Sequence, residues 1–172
     1  MKKIILTSGD PDGIGLEVSS KALYKLGPQK NINYFIMRSS SGKLSQSLSK
    51  KFDRHVFSTL DEALSQYLIL RRMKKLKSNL LFEVSSADAA PIWVESAGKA
   101  CSNKIFDGLV TAPMSKELIS SLGWSDRGHT EILKRVSGAK QVHQGFVGSK
   151  FNVLLITAHL PLKELPTQLS EH

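Results

Sequence analysis

Short apolar runs alternate along the chain with segments whose apolar residues recur at helical spacing. That alternation predicts an α/β fold, a mostly parallel sheet flanked by helices. Residues 4–6 read as a first strand. They lead into the turn Gly9-Asp10-Pro11-Asp12-Gly13 and a helix in which Ile14, Val18, Ala22 and Leu26 recur every four residues. Residues 34–37 form a second strand. Residues 39–51, rich in Ser and Lys with Leu44 and Leu48 four apart, are either a weak exposed helix or a mobile connection.

Val56 and Phe57 suggest a short strand before a helix that starts near Leu60 and carries Leu64 and Leu68. Residues 80–84 give another strand. Pro91 suits the first turn of the next helix, where its missing amide hydrogen leaves no bond unmade. That helix is expected to bury Ile92, Trp93, Ala97, Ala100 and Cys101. Leu109, Val110 and Thr111 read as a strand of the fully buried type. Helices are expected over residues 115–122 and 131–136, and the last strands over residues 144–147 and 151–157. Three polar segments then follow strands: residues 8–15, 111–116 and 157–161. In an open α/β sheet, ligands bind in the crevice at the carboxyl ends of the strands.

Each segment has a structural and a chemical reading. Gly9, Gly13 and Gly15 between a strand and a helix would let the backbone approach a phosphate. Against that, Val18 stands where a dinucleotide fingerprint needs its third glycine, and no Walker-type lysine follows. The alternative is a tight turn with Asp10 or Asp12 near the helix start. Ser115 either caps the following helix or belongs to a segment in which Thr111 and Lys116 offer a hydroxyl and a cation to an anionic substrate. Gly128-His129-Thr130-Glu131 sets an imidazole beside a hydroxyl at a helix entrance, with Thr130 as N-cap on the structural reading. His159, after an apolar strand, has the chemistry of a metal ligand. His55, His143 and His172 show no metal-ligand spacing with it.

Composition narrows the field. The 172 residues are 41% apolar and 23% charged, the balance of a folded domain and enough for one ordinary domain. No apolar run approaches the ~20 residues that span a bilayer, and the amino terminus lacks the apolar core of a secretory signal. With a single cysteine, Cys101, a reducing cytoplasmic setting is expected. The net charge of +9 is concentrated in residues 1–86, which hold 15 basic and 7 acidic side chains. Its densest cluster, Arg71, Arg72, Lys74, Lys75 and Lys77, is interleaved with no aromatic residues for base stacking. A solvated helix end is expected there, and no nucleic-acid partner.

Read in order, four motifs resemble the amino-terminal half of the 4-hydroxythreonine-4-phosphate dehydrogenase family of pyridoxal phosphate biosynthesis. They are Ser8-Gly9-Asp10-Pro11-Asp12-Gly13-Ile14-Gly15-Leu16-Glu17, Leu109-Val110-Thr111-Ala112-Pro113-Met114-Ser115-Lys116, Gly128-His129-Thr130-Glu131 and Thr157-Ala158-His159-Leu160-Pro161-Leu162. Asp12 and Leu16 replace the family's usual Ala and Pro, and residues 39–90 carry no matching motif.

The resemblance implies a fold of the isocitrate and isopropylmalate dehydrogenase type, truncated here, with a cleft between two domains near a homodimer interface. It implies NAD or NADP bound without the standard glycines, and a divalent metal (Zn, Mg or Co) held by three histidines, of which His159 is one. His129 and Thr130 would contact the phosphorylated substrate. The implied chemistry is oxidation of a secondary alcohol followed by decarboxylation, both aided by the metal. On this reading residues 1–172 form an amino-terminal portion that lacks the carboxy-terminal half, with its two other metal histidines, and is inactive unless complemented. A related dehydrogenase acting on another hydroxy acid, and a non-catalytic remnant or binding domain, are the competing expectations.

Overall fold

The computed structural model describes residues 1–157 and 161–168. The chain divides into two compact units, Met1–Gly138 and Ala139–His172.

In the first unit, strands β1 (Lys2–Thr7), β2 (Ile32–Ser39), β3 (Asp53–Phe57), β4 (Leu80–Ser86) and β5 (Gly108–Thr111) form one sheet in the order β3-β4-β2-β1-β5. Every neighbouring pair is parallel. Alternation along the strands sends side chains to two cores. Ile5, Phe35 and Phe82 pack with Tyr67 of α2 (Leu60–Arg72) and Trp93 of α3 (Ala90–Ser102) on one face. Leu6, Ile36 and Leu81 pack with Leu23 of α1 (Gly15–Leu26) on the other. A sheet covered on both faces needs continuous apolar strands, which is why β2 and β4 are buried almost throughout.

Local chemistry sets the helix ends. Thr59 and Glu62 form a reciprocal capping box at the start of α2, and Pro91 occupies the first turn of α3. Arg71 and Arg72 lie in the last turn of α2, where cations complement the dipole, and the cluster they begin is exposed.

Three expectations are corrected here. Residues 39–51 are neither an exposed helix nor a loose connection: Gln46–Lys50 is a 3₁₀ helix, and Leu44 and Leu48 are buried in the second core. The stripe read as the inward face of α1 points outward, with Ile14 65%, Val18 49% and Leu26 58% exposed. Gly15, Ser19, Ser20 and Leu23 face the sheet instead. β5 is an edge strand whose Val110 is 53% exposed, not a fully buried one.

The second unit holds an antiparallel pair, β6 (Gly145–Val147) and β7 (Asn152–Leu154), followed by a 3₁₀ turn, Leu162–Glu164, and a short helix, Leu165–Gln168. Residues 157–161 therefore do not follow a strand of the parallel sheet. His159 lies outside the described residues.

Candidate functional site

The chain leaves β1 and β5, adjacent strands at one side of the sheet, through the first two polar segments. The loops after them are joined. Asp10 donates its backbone N–H to Pro113 O at 3.2 Å, and its Oδ2 accepts the Ser115 N–H at 2.8 Å. Thr7 O accepts from Ala112 N at 2.9 Å, and Gly13 N–H returns to Asp10 O at 3.0 Å. Asp10 is thus a link between two loops about 100 residues apart, not a cap for α1, whose N-cap Ile14 has no side-chain hydrogen bond.

The glycines serve this junction. A Cβ on Gly9, at φ +70°, would lie 2.0 Å from Pro113 O; one on Gly15 would lie 2.1 Å from Ser8 O. Protein backbone already occupies the space the missing side chains leave, so Gly9 and Gly15 permit close chain packing. They do not form an open cradle for a dinucleotide. Leu16 uses its position to pack on the second core, its Cδ2 2.7 Å from where a Gly42 Cβ would stand.

Beyond the junction, Ser115 caps α4 (Lys116–Ser121), accepting the Leu118 N–H with its Oγ at 3.2 Å. That is the structural reading of this segment. Thr111 is half-buried and Lys116 exposed.

Helix α5 (His129–Ser137) begins at Gly128, so Thr130 lies inside the first turn and is not the cap. Ile132 of α5 is fully buried against Val94 and Ile119, which fixes the helix entrance. His129 is half-buried there. Burial pushes its imidazole below the ordinary histidine range, opposed by a main-chain hydrogen bond at Ala112 and by the Asp10 carboxylate. Its Nε2 is buried and has no hydrogen-bond partner among the described residues, and the same holds for Asp10 Oδ1 and Thr7 Oγ1. Buried polar atoms left unpaired are uncommon and point to a site that something else completes. The junction thus brings together Asp10, Ser115 and His129, with exposed Thr130 next to the imidazole.

Two cavities flank it. One of about 480 Å³ opens on Asp10, Asp12, Ser115 and Glu117. Another of about 530 Å³ runs along α1 past Lys21, Tyr24 and Lys43. His129 lines neither. Among the described residues no three His, Cys, Asp or Glu side chains come together to hold a metal ion.

A parallel, doubly wound α/β sheet with unsatisfied polar groups at the ends of adjacent strands is the architecture of a ligand-binding α/β enzyme domain. Residues 34–172 match the family described as pyridoxal phosphate biosynthetic protein PdxA, and the chain belongs to that family. A 4-hydroxythreonine-4-phosphate dehydrogenase of Sulfurihydrogenibium sp. (strain YO3AOP1) is 34% identical over 99% of this chain and 54% of its own length. The Aquifex aeolicus enzyme of that name is 28% identical over 99% of this chain and 53% of its own length. A crystal structure of the Burkholderia phymatum enzyme superposes with a TM-score of 0.70 at 18% identity, covering 95% of this chain and 52% of that one. The chain spans about half the length of the curated relatives it matches.

The link made by Asp10 was the part sequence reasoning missed. Both motifs were visible, but no local signal joins residues 105 positions apart.

Proposed function

We propose that this chain supplies the amino-terminal half of a 4-hydroxythreonine-4-phosphate dehydrogenase. The reaction is NAD(P)-dependent oxidation of 4-phosphooxy-L-threonine followed by decarboxylation to 3-amino-2-oxopropyl phosphate, in vitamin B6 biosynthesis. The observation that carries the proposal is the convergence of family motifs at one place: Asp10, Ser115 and His129 come from three of the four motifs and meet at the ends of β1 and β5.

His129 and Thr130 are the substrate-facing residues of this reading. The Nε2 of His129 is free to accept a hydrogen bond from a substrate hydroxyl or, once protonated, to donate one to a phosphate oxygen. Thr130 adds an exposed hydroxyl in the first turn of α5, where backbone N–H groups favour an anion. A bound nicotinamide supplies the hydride acceptor. The proposed metal set is His159 with two histidines of a complementing carboxy-terminal half supplied by a second chain in the cytoplasm, and a homodimer is the other proposed assembly.

The test is NAD(P)H formation from 4-phosphooxy-L-threonine with added zinc or magnesium, first with this chain alone and then with the second half of a relative supplied separately. No turnover is expected alone, and metal-dependent turnover is expected on complementation. His159→Ala should then abolish it, and His129→Ala should raise KM more than it lowers kcat. Turnover by the isolated chain would overturn the claim that it is half a site. Failure of every complementing half would favour a non-catalytic remnant or binding domain. Turnover of a different hydroxy acid in preference would favour a related dehydrogenase.

A further inference from the structure

We propose that α2 is a dimerisation face, through which two copies of this chain pair with their helices antiparallel. The helix buries Ala63 and Tyr67 in the first core and turns a second stripe away from it. Asp61, Ser65, Leu68 and Arg72, spaced four, three and four residues apart, fall within an arc of about 60° on that outward side. All four are exposed. Leu68 is 57% exposed, and Ile69 and Met73 beside the stripe are 51% and 54% exposed. Acidic residues in the first turn and basic ones in the last complement the helix dipole, which accounts for the charges at the two ends. It does not account for three large apolar side chains clustered in water at the last two turns.

The stripe is complementary to itself when turned end for end. Asp61 and Arg72 stand at equal distances from its midpoint. A twofold axis there sets each Asp61 against Arg72 of the second copy, and each Leu68 against a Ser65 small enough to receive it. Neither Asp61 nor Arg72 has an ion-pair partner of its own among the described residues. A parallel pair would oppose Asp61 to Asp61 and Arg72 to Arg72, so charge selects the antiparallel one. Exposed Arg71, Lys74 and Lys75 widen the basic end and draw it toward Asp61 and Glu62 of the other copy. That end is held in shape: Lys74 N–H donates to Arg71 O at 3.1 Å and Lys75 N–H to Leu70 O at 2.9 Å. The helix lies in the stretch 39–90 that carries none of the family motifs, so the dimer rests on no reading of the reaction and its test uses no ligand.

The experiment is sedimentation equilibrium of the 172-residue chain over a range of concentrations. One helix pair buries less than the ~1,600 Å² of a standard interface, so a reversible dimer with a Kd of about 10–100 μM is expected at low salt. Raising the salt from about 0.05 M to about 0.5 M should weaken it several-fold. Arg72→Glu and Asp61→Arg should each weaken it by about tenfold or more. The double variant, which exchanges the two charges, should return the Kd to within about threefold of the unaltered chain. Circular dichroism checks that each variant is folded. A monomer at every concentration would overturn the proposal. So would a dimer indifferent to Arg72→Glu, as one formed through the edge strand β5 would be, or a folded double variant as weak as the single ones. Should the exchanged charges unfold the chain, Leu68→Asp at the exposed centre of the stripe decides: about a tenfold weakening is expected, and an unchanged Kd would overturn the proposal.

Discussion

Glu83 Oε2 accepts the Nε–H of Arg38 at 3.0 Å across the β2–β4 pair, and the Glu83 side chain is wholly buried. Its other oxygen meets Arg54 from β3. Arg38 is further held by the carbonyls of Ser39 and Gly42 and by Ser85 Oγ. The carboxylate thus ties three parallel strands together, reaching Arg38 and Arg54 two residues to either side of its own level, and Arg38 anchors the turn that follows β2. Removing it leaves a buried guanidinium without its counter-charge, so Glu83→Ala should lower unfolding free energy by about 3–5 kcal/mol. Replacing Glu83 and Arg38 together with apolar residues should recover most of that loss. Urea denaturation of the single and double variants tests both statements.

The joined loops predict a contrast between glycines. Gly9→Ala forces a Cβ into Pro113 O and should cost at least about 2 kcal/mol, seen as a lower Tm. Gly123 has almost the same φ, +71°, but nothing within 4 Å of its missing Cβ. Gly123→Ala should cost only about 1 kcal/mol, the conformational part alone. Equal losses at the two positions would refute the packing argument.

Thr59→Ala removes one arm of the capping box on α2, whose Oγ1 accepts the Glu62 N–H at 3.2 Å. A loss of about 1 kcal/mol is expected. Thermal unfolding of Thr59→Ala beside the unaltered chain measures it.

The pH dependence of stability has a definite sign at His129. Because its imidazole titrates below the ordinary range in the folded state, the unfolded chain binds that proton more readily. Its contribution to stability is complete above about pH 6.5 and falls away as the pH drops toward the folded midpoint. Comparing denaturant midpoints at pH 8 and pH 5 should show a smaller difference in His129→Gln than in the unaltered chain. An identical difference would mean that burial does not hold the ring neutral.

Much of the fold was legible in the sequence because β2, β4 and α3 carry apolar runs long enough to identify themselves, and Pro91 marked a helix start. The errors have physical causes. On α1, the period Ile14, Val18, Ala22, Leu26 is a real amphipathic signal, yet Gly15, Ser19, Ser20 and Leu23 face inward, and at Gly15 the helix start lies so near Ser8 O and Ala112 Cβ that no side chain fits. Close approach outweighed hydrophobicity. At β5, Leu109-Val110-Thr111 reads the same in a central strand as at an edge, because sequence shows side chains and not neighbours. At the site, Gly9, His129 and Ser115 drew notice individually, whereas the Asp10 link depends on the crossover from β4 past β2 and β1 to β5, which no short motif encodes.

That crossover places β5, bonded among the described residues only to β1, directly before the Thr111–Lys116 loop. Its open side exposes Val110 and a row of backbone groups suited to another strand. Any strand that docks there extends the sheet next to the loop that Ser115 ties to Asp10. The same open border leaves the sheet vulnerable to self-association along the flank of the candidate site.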